Sequence, residues 1–272
     1  MANKFKSLVY REKGGRRSPW TCNFYIGCSN ACTYCCCTYI IKQNWSSNVK
    51  LIKHFTDEAH ALEVFREEVT ENLESLQSRG RLFFSLTTDA MLPETKGLTY
   101  AAMRVCHELD VPFKVLTKCT DWLDDDFLKE FESSGTVWGQ APKMDLFAFG
   151  FSITGFDQIE IGAAPNEERI KALKKLKSLG FKTFISFEPV IDFDISLSMI
   201  QQSHEYCDFM RVGLLNGPTR DKNPDLSKMR NFLESVNSMV TQVPVYWGDS
   251  FFSILRIERQ EMPQNCVEEE VF

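Results

Sequence analysis

A chain of 272 residues with 43% hydrophobic and 25% charged residues has the composition of a globular protein able to bury a substantial core, and nothing in it reads as disordered or collagenous. Its formal charge of −6 offers no global field to attract a polyanion. No apolar run approaches the ~18 residues of a membrane span, and the amino-terminal MANKFKSLVYREKGG lacks a signal-peptide stretch, so the cytosol is the expected compartment.

The chain opens with a basic arm, residues 1–19, in which Lys4, Lys6, Arg11, Lys13, Arg16 and Arg17 face Glu12 alone. It reads either as a solvated charged segment or as a contact for phosphate. From residue 20 the pattern alternates. WTCNFYIG (20–27) reads as a strand; HALEVFREEVTENLESLQSRG (60–80) has helical spacing and a glycine stop. RLFFSLTTD (81–89), VPFKVLTKC (111–119), DLFAFGFSIT (145–154), FKTFISFEPVI (181–191), DFMRVGLLNG (208–217) and VPVYWG (243–248) read as strands. Helical patterns separate them over 98–109, 121–135, 166–180, 196–206 and 225–239.

Strands that are nearly all apolar, separated by amphipathic helices, indicate a parallel sheet covered by helices. Six or seven such units suit a full or partial (β/α) barrel, and a doubly wound open sheet would give a similar string. No linker divides the chain, so one core domain is expected over 20–250, followed by a carboxyl-terminal extension, 251–272, with an acidic tail.

Five of the ten cysteines fall within GCSNACTYCCC, residues 27–37. Cys28-x3-Cys32-x2-Cys35 is the only register that separates three of them by four and then three positions. Random placement would give such a triplet on the order of one time in a hundred. In a reducing compartment, clustered cysteines more often bind metal than pair as disulfides. Three thiolates can reach three corners of a [4Fe–4S] cubane and leave one iron open, whereas zinc would want a fourth Cys or His at comparable spacing. An open metal position suits a site that does chemistry on something bound there.

CxxxCxxC with an aromatic residue, Tyr34, before the last cysteine resembles the signature of the radical S-adenosylmethionine (SAM) enzymes. The resemblance implies a partial (β/α)6 barrel of the TIM type, with Cys28, Cys32 and Cys35 as cluster ligands and SAM chelated on the fourth iron. Electron transfer from the cluster then cleaves SAM to methionine and a 5′-deoxyadenosyl radical, which abstracts hydrogen from substrate. A low-potential reductant such as flavodoxin or ferredoxin is implied as partner. Cys36 and Cys37, out of register, are expected to be packing thiols, and no auxiliary cluster is expected.

In such a barrel the active site lies at the carboxyl ends of the strands. Thr87, Thr88, Asp89, Lys118, Ser152, Thr154, Glu188 and Asn216 fall there, although serines and threonines at strand ends also cap helices, and Asp89 could be a structural partner of Lys118. SPWTCNFYIGCSNACTYC, SLTTDAMLPE, VLTK and FSIT with Glu160, Gly162 and Arg169 together resemble the spore photoproduct lyase-like branch, across most of residues 18–216. By that resemblance Thr88 meets the SAM amino group, Lys118 its carboxylate, and Ser152 lies near it, with Tyr34, Thr87, Asp89, Arg169, Glu188 and Asn216 also around the cofactor. The lyase of that branch carries a hydrogen-donating cysteine two residues before the position of Thr88; this chain has Leu86 there, and Cys119 is the candidate replacement.

The branch and the basic arm point to a nucleic acid or nucleotide as substrate, with Trp20, Tyr25 and Trp247 as candidate stacking surfaces. A peptide or small molecule is the alternative within the same chemistry. An iron–sulfur electron carrier or redox sensor is the alternative outside it, and Thr88 and Lys118 at a cluster mouth speak against that reading.

Overall fold

The computed structural model of the chain describes residues 7–9, 12–13, 16–17, 20–40, 46–78, 80–132, 143–215 and 224–268. The apolar runs form one eight-stranded sheet: β1 (Leu8–Val9), β2 (Thr21–Cys22), β3 (Leu82–Phe84), β4 (Phe113–Thr117), β5 (Phe147–Ser152), β6 (Lys182–Val190), β7 (Phe209–Leu214) and β8 (Val245–Trp247). Neighbours in space are neighbours in sequence, and every pair is parallel except β1 with β2. A doubly wound sheet reverses strand order at a switch point. This one never reverses, so the fold is a partial (β/α) barrel, with β8 as the last of its parallel strands, where VPVYWG was expected.

The helices are α1 (Cys37–Ile40), α2 (Glu58–Glu71), α3 (Leu73–Ser78), α4 (Lys96–Glu108), α5 (Asp125–Glu132), α6 (Asn166–Ser178), α7 (Phe193–Ser203), α8 (Leu226–Met239) and α9 (Asp249–Leu255). Asp57, Asp192 and Asp225 cap α2, α7 and α8 by accepting from backbone N–H groups of the first turn. Among the described residues no helix is long and apolar enough to cross a membrane.

Two expected elements are interrupted, both by an asparagine. The strand expected over 20–27 leaves the sheet after Cys22, because the buried Asn23 turns its Oδ1 to the backbone N–H groups of Leu86 (2.9 Å) and Thr87 (3.2 Å). Tyr25–Ile26 pairs instead with Lys50–Leu51 in a separate antiparallel ribbon. The helix expected over 60–80 breaks at Asn72, whose Nδ2 donates to the Glu68 carbonyl (2.7 Å), dividing α2 from α3.

The two faces of the sheet differ in chemistry. Outward, Phe147, Phe149 and Phe151 of β5 are fully buried, with Phe149 5.2 Å from the Trp122 ring and 5.3 Å from Phe181. Inward, Phe184 and Phe209 pair in register and pack with Ala148, Leu116, Tyr246 and Val267 in a separate small cluster that closes the lumen. One step toward the carboxyl ends, Ser152, Ser186 and Arg211 pair in succession across β5, β6 and β7, and Tyr246 of β8, level with Arg211, touches both layers. The lumen therefore has an apolar layer below and a polar layer above.

Candidate active site

The three-cysteine loop lies between the Tyr25–Ile26 ribbon and α1, at the carboxyl end of the barrel. Its shape is set by buried polar contacts. Ala31 takes a left-handed φ of 48°, and Asn30, 2% exposed, donates Nδ2 to Asp89 Oδ2 at 2.8 Å. Asp89 is a buried hub: it also accepts from Thr117 Oγ1 (2.7 Å), Lys118 N (2.8 Å) and Met91 N (3.0 Å). One carboxylate thus ties the cysteine loop to the ends of β3 and β4.

A second clamp comes from the segment after β5. Gly162 N donates to the Asn30 carbonyl and Thr33 N to the Ile159 carbonyl, each at 3.0 Å. A Cβ at Gly162 would stand 2.2 Å from the Ser29 carbonyl oxygen, so only glycine permits this approach. The Tyr34 hydroxyl donates to Glu160, which pairs at 2.7 Å with Arg169, both side chains being fully buried. Arg169 also donates to the carbonyls of Ala164 (2.7 Å) and Ser152 (2.8 Å). Burial, reinforced by the Glu160 charge, raises the Tyr34 hydroxyl far above the ordinary tyrosine range. It stays protonated and donating.

The thiols are not alike. Burial and then the Asp89 charge push Cys28 up to about 12, and burial raises Cys32. The neighbouring Cys37 thiol lowers Cys35 to about 6 and Cys36 to about 7. Cys37 is buried, and its thiol reaches the Leu86 carbonyl (3.2 Å); Cys36 is exposed, which corrects its expected packing role. Among the described residues no three His, Cys, Asp or Glu side chains converge on one point, as a mononuclear site would require. A cubane places no such demand, because each thiolate meets a different iron.

Of the expected cofactor residues, Lys118 and Ser152 face the lumen. The Lys118 ammonium stands 5.7 Å from the centre of the Tyr34 ring, and Ser152 is buried with its hydroxyl unbonded to protein among the described residues. Thr88 lies half-buried on the turn after β3, its hydroxyl 3.4 Å from the Asp89 carbonyl. Thr87 spends its hydroxyl on the Tyr25 carbonyl (2.6 Å) and Asn23. Thr87, Asp89 and Arg169 thus contact protein and shape the site. Glu188 binds Arg211 Nε at 2.5 Å. Asn216 and, in the basic arm, Lys4, Lys6 and Arg11 lie outside the described residues.

Three expectations about aromatic residues are corrected by burial. Trp20 donates Nε1 to Ser75, Tyr25 donates its hydroxyl to Glu58 at 2.6 Å, and Trp247 packs 4.9 Å from the Phe251 ring. None presents a stacking face. Cys119 is also buried, its sulfur 3.6 Å from Asn30 Oδ1, and burial raises its thiol. Asn23, Asn30, Ser186 and Arg211 escaped the sequence reading. Asn30 sits inside the cysteine motif, and the alternation FISFE, with its one small polar residue on the inward phase, is the signal that could have found Ser186.

The protein is thus a parallel partial barrel with a three-thiol loop over its carboxyl mouth. The sequence model of the Radical SAM superfamily matches residues 22–207, and the chain belongs to that superfamily. An uncharacterized protein of Methanocaldococcus jannaschii is 25% identical over 212 residues, 73% of this chain and 71% of its own length. Spore photoproduct lyase complexed with dinucleoside spore photoproduct shares the fold, with a TM-score of 0.56 at 12% identity, over 91% of this chain and 80% of the lyase. Streptococcus suis SuiB bound to its precursor peptide SuiA gives 0.53 at 14% identity, over 86% of this chain; the chain spans about half of SuiB, 52%.

Proposed function

We propose that this radical SAM enzyme holds a [4Fe–4S] cluster on Cys28, Cys32 and Cys35 and uses reductive cleavage of SAM to take a hydrogen atom from a nucleotide or nucleic acid seated over the polar layer of the barrel. One observation carries this reading: the thiol loop is pinned by Asn30, Asp89 and Gly162 above a lumen in which Lys118 has no carboxylate within ion-pair distance among the described residues and Ser152 has an unbonded hydroxyl. A half-buried ammonium and an unbonded hydroxyl facing one lumen suit an anionic ligand. The residues fit the cluster, since three thiols on one short loop leave one iron for SAM.

When bound, the cluster and SAM supply one electron and a carbon radical; the rest falls to the chain. Lys118 is suited to the SAM carboxylate, and Thr88 and Ser152 to its amino end. Tyr34, locked by Glu160, keeps the last thiol and the Lys118 ammonium in fixed relation. The Phe184 and Phe209 layer closes the lumen from below and excludes water from that side. We leave Cys119 out of the reacting set, because its sulfur meets Asn30 and Asp89 beneath the loop. A cytoplasmic setting with flavodoxin or ferredoxin as reductant completes the reading.

The test is anaerobic reconstitution with iron and sulfide, followed by SAM and dithionite. Release of 5′-deoxyadenosine is expected. A reversible cluster couple without release would make the protein an electron carrier, and zinc in place of iron would end the cluster assignment.

A further inference from the structure

The polar layer continues past the residues suited to SAM. Ser152 of β5 is level with Ser186 of β6, Ser186 with Arg211 of β7, and Arg211 with Tyr246 of β8. The first is tied to the segment that clamps the cysteine loop, its carbonyl accepting from Arg169. The other three line the far wall.

Arg211 is an unusual residue for its place. It occupies an inward position of a strand, directly above the apolar layer, yet 35% of its side chain is exposed, so it looks into an open mouth and not into packed protein. Its orientation is built. Glu188 accepts from Nε at 2.5 Å, and Glu188 in turn lies against Gly213, where a Cβ would stand 2.7 Å from Oε1. The guanidinium carbon lies 5.4 Å from the centre of the Tyr246 ring, which limits its swing on the other side. Beside it, Ser186 is 2% exposed and its hydroxyl bonds to no protein group among the described residues. A serine that deep in the lumen, next to an oriented guanidinium, has its hydroxyl available to a partner from outside the chain.

We propose that Ser186, Arg211 and Tyr246 form the substrate anchor, with Arg211 and Ser186 binding a phosphate group of a nucleotide across the lumen from Lys118. This rests on the radical SAM reading above and adds the group by which substrate is held. A carboxylate presents two oxygens in one plane and is used up by one guanidinium fork; a phosphate keeps further oxygens for the Ser186 hydroxyl at a different angle. Glu188 serves as a positioning residue that holds the fork toward the mouth, and Gly213 makes room for it.

Binding is measured calorimetrically on the reconstituted holoenzyme with SAM and without reductant, so that cleavage chemistry does not enter. The probes are the common 5′-mononucleotides, their nucleosides and N-acetylglutamate. At least one mononucleotide is expected to bind about tenfold or more tightly than its nucleoside, as a charge-assisted contact gives. That ratio should fall to about one in Arg211→Gln, recover in part in Arg211→Lys and shrink a few-fold in Ser186→Ala. A ratio taken within one variant is unaffected by a fraction of unfolded protein, and Gly213→Ala, which displaces Glu188, should lower it independently. Equal binding of nucleotide and nucleoside by the unaltered enzyme, an undiminished ratio in Arg211→Gln, or tighter binding of N-acetylglutamate than of any mononucleotide overturns the proposal. Failure of SAM cleavage in the separate reductive assay would instead sink the radical SAM reading.

Discussion

The two ends of the barrel treat polar groups in opposite ways. At the amino end, two charged side chains are matched from within. Asp208, just before β7, accepts from Thr183 N (2.9 Å), Thr183 Oγ1 (3.2 Å) and Lys177, while Arg81, before β3, donates to the carbonyls of Leu146 (2.8 Å) and Asp145 (2.7 Å). At the carboxyl end the hub of Asp89 and the pair of Glu160 and Arg169 are matched as well, but Ser152 and Ser186 are not, and Lys118 faces a ring. Hydroxyl and ammonium groups that turn to the lumen without a hydrogen bond or ion pair to protein are open to a ligand there. Substitutions at the matched groups and at the lumen-facing ones should separate stability from activity.

The largest effect is expected from the cysteine loop. Cys28→Ala, Cys32→Ala and Cys35→Ala should each bring iron content and 5′-deoxyadenosine release to background while far-UV circular dichroism keeps its native form. Cys106→Ala, in a fully buried site on α4, should do the reverse and lower only stability. Iron retained in full by all three loop variants would remove the cluster assignment.

Glu160→Ala sharpens the comparison, because Glu160 is a matched group at the active end. It leaves Arg169 charged and buried, and loss of one partner of a buried pair costs about 3–5 kcal/mol. Chemical denaturation should show that loss, with a fall in SAM cleavage as Tyr34 loses its acceptor. Gly162→Ala comes next. Its Cβ would collide with the Ser29 carbonyl, and relieving such overpacking costs about 1–3 kcal/mol. Fewer iron atoms per chain are expected with only this modest loss of stability; unchanged iron would show that the loop tolerates the shift.

Most of the barrel was legible because its strands are nearly continuous aromatic and β-branched runs, and alternation with amphipathic helices fixes a parallel sheet. The choice of barrel over open sheet was not, since strand order leaves no trace in periodicity. The cysteine spacing was legible for the same local reason: three ligands on one loop need no tertiary information. Asn30 and Arg211 were hidden because each gains meaning only through a residue far away, Asp89 for one and Glu188 with Ser186 for the other. Trp20, Tyr25 and Trp247 misled in the opposite direction, since a hydrogen bond or a neighbouring ring turns a stacking surface into core.

The smallest effect is expected at the amino end, from Asp208→Asn. Burial alone would raise this carboxyl group, but the Lys177 ammonium and the Thr183 donors outweigh it and hold it below the ordinary aspartate value. The unfolded chain, with its ordinary value of about 3.9, therefore takes up a proton before the folded chain does. The stabilisation from Asp208 is complete above that value and fades as pH falls through the lower folded one. Both partners of the ion pair are partly exposed, which limits its share to about 0.2–1 kcal/mol. Urea melts of the two proteins should differ by that amount between pH 5 and 7 and converge below about pH 4, with no change in SAM cleavage at neutral pH. A variant that kept its stability but lost cleavage would place chemistry at the amino end and break the division between the two ends.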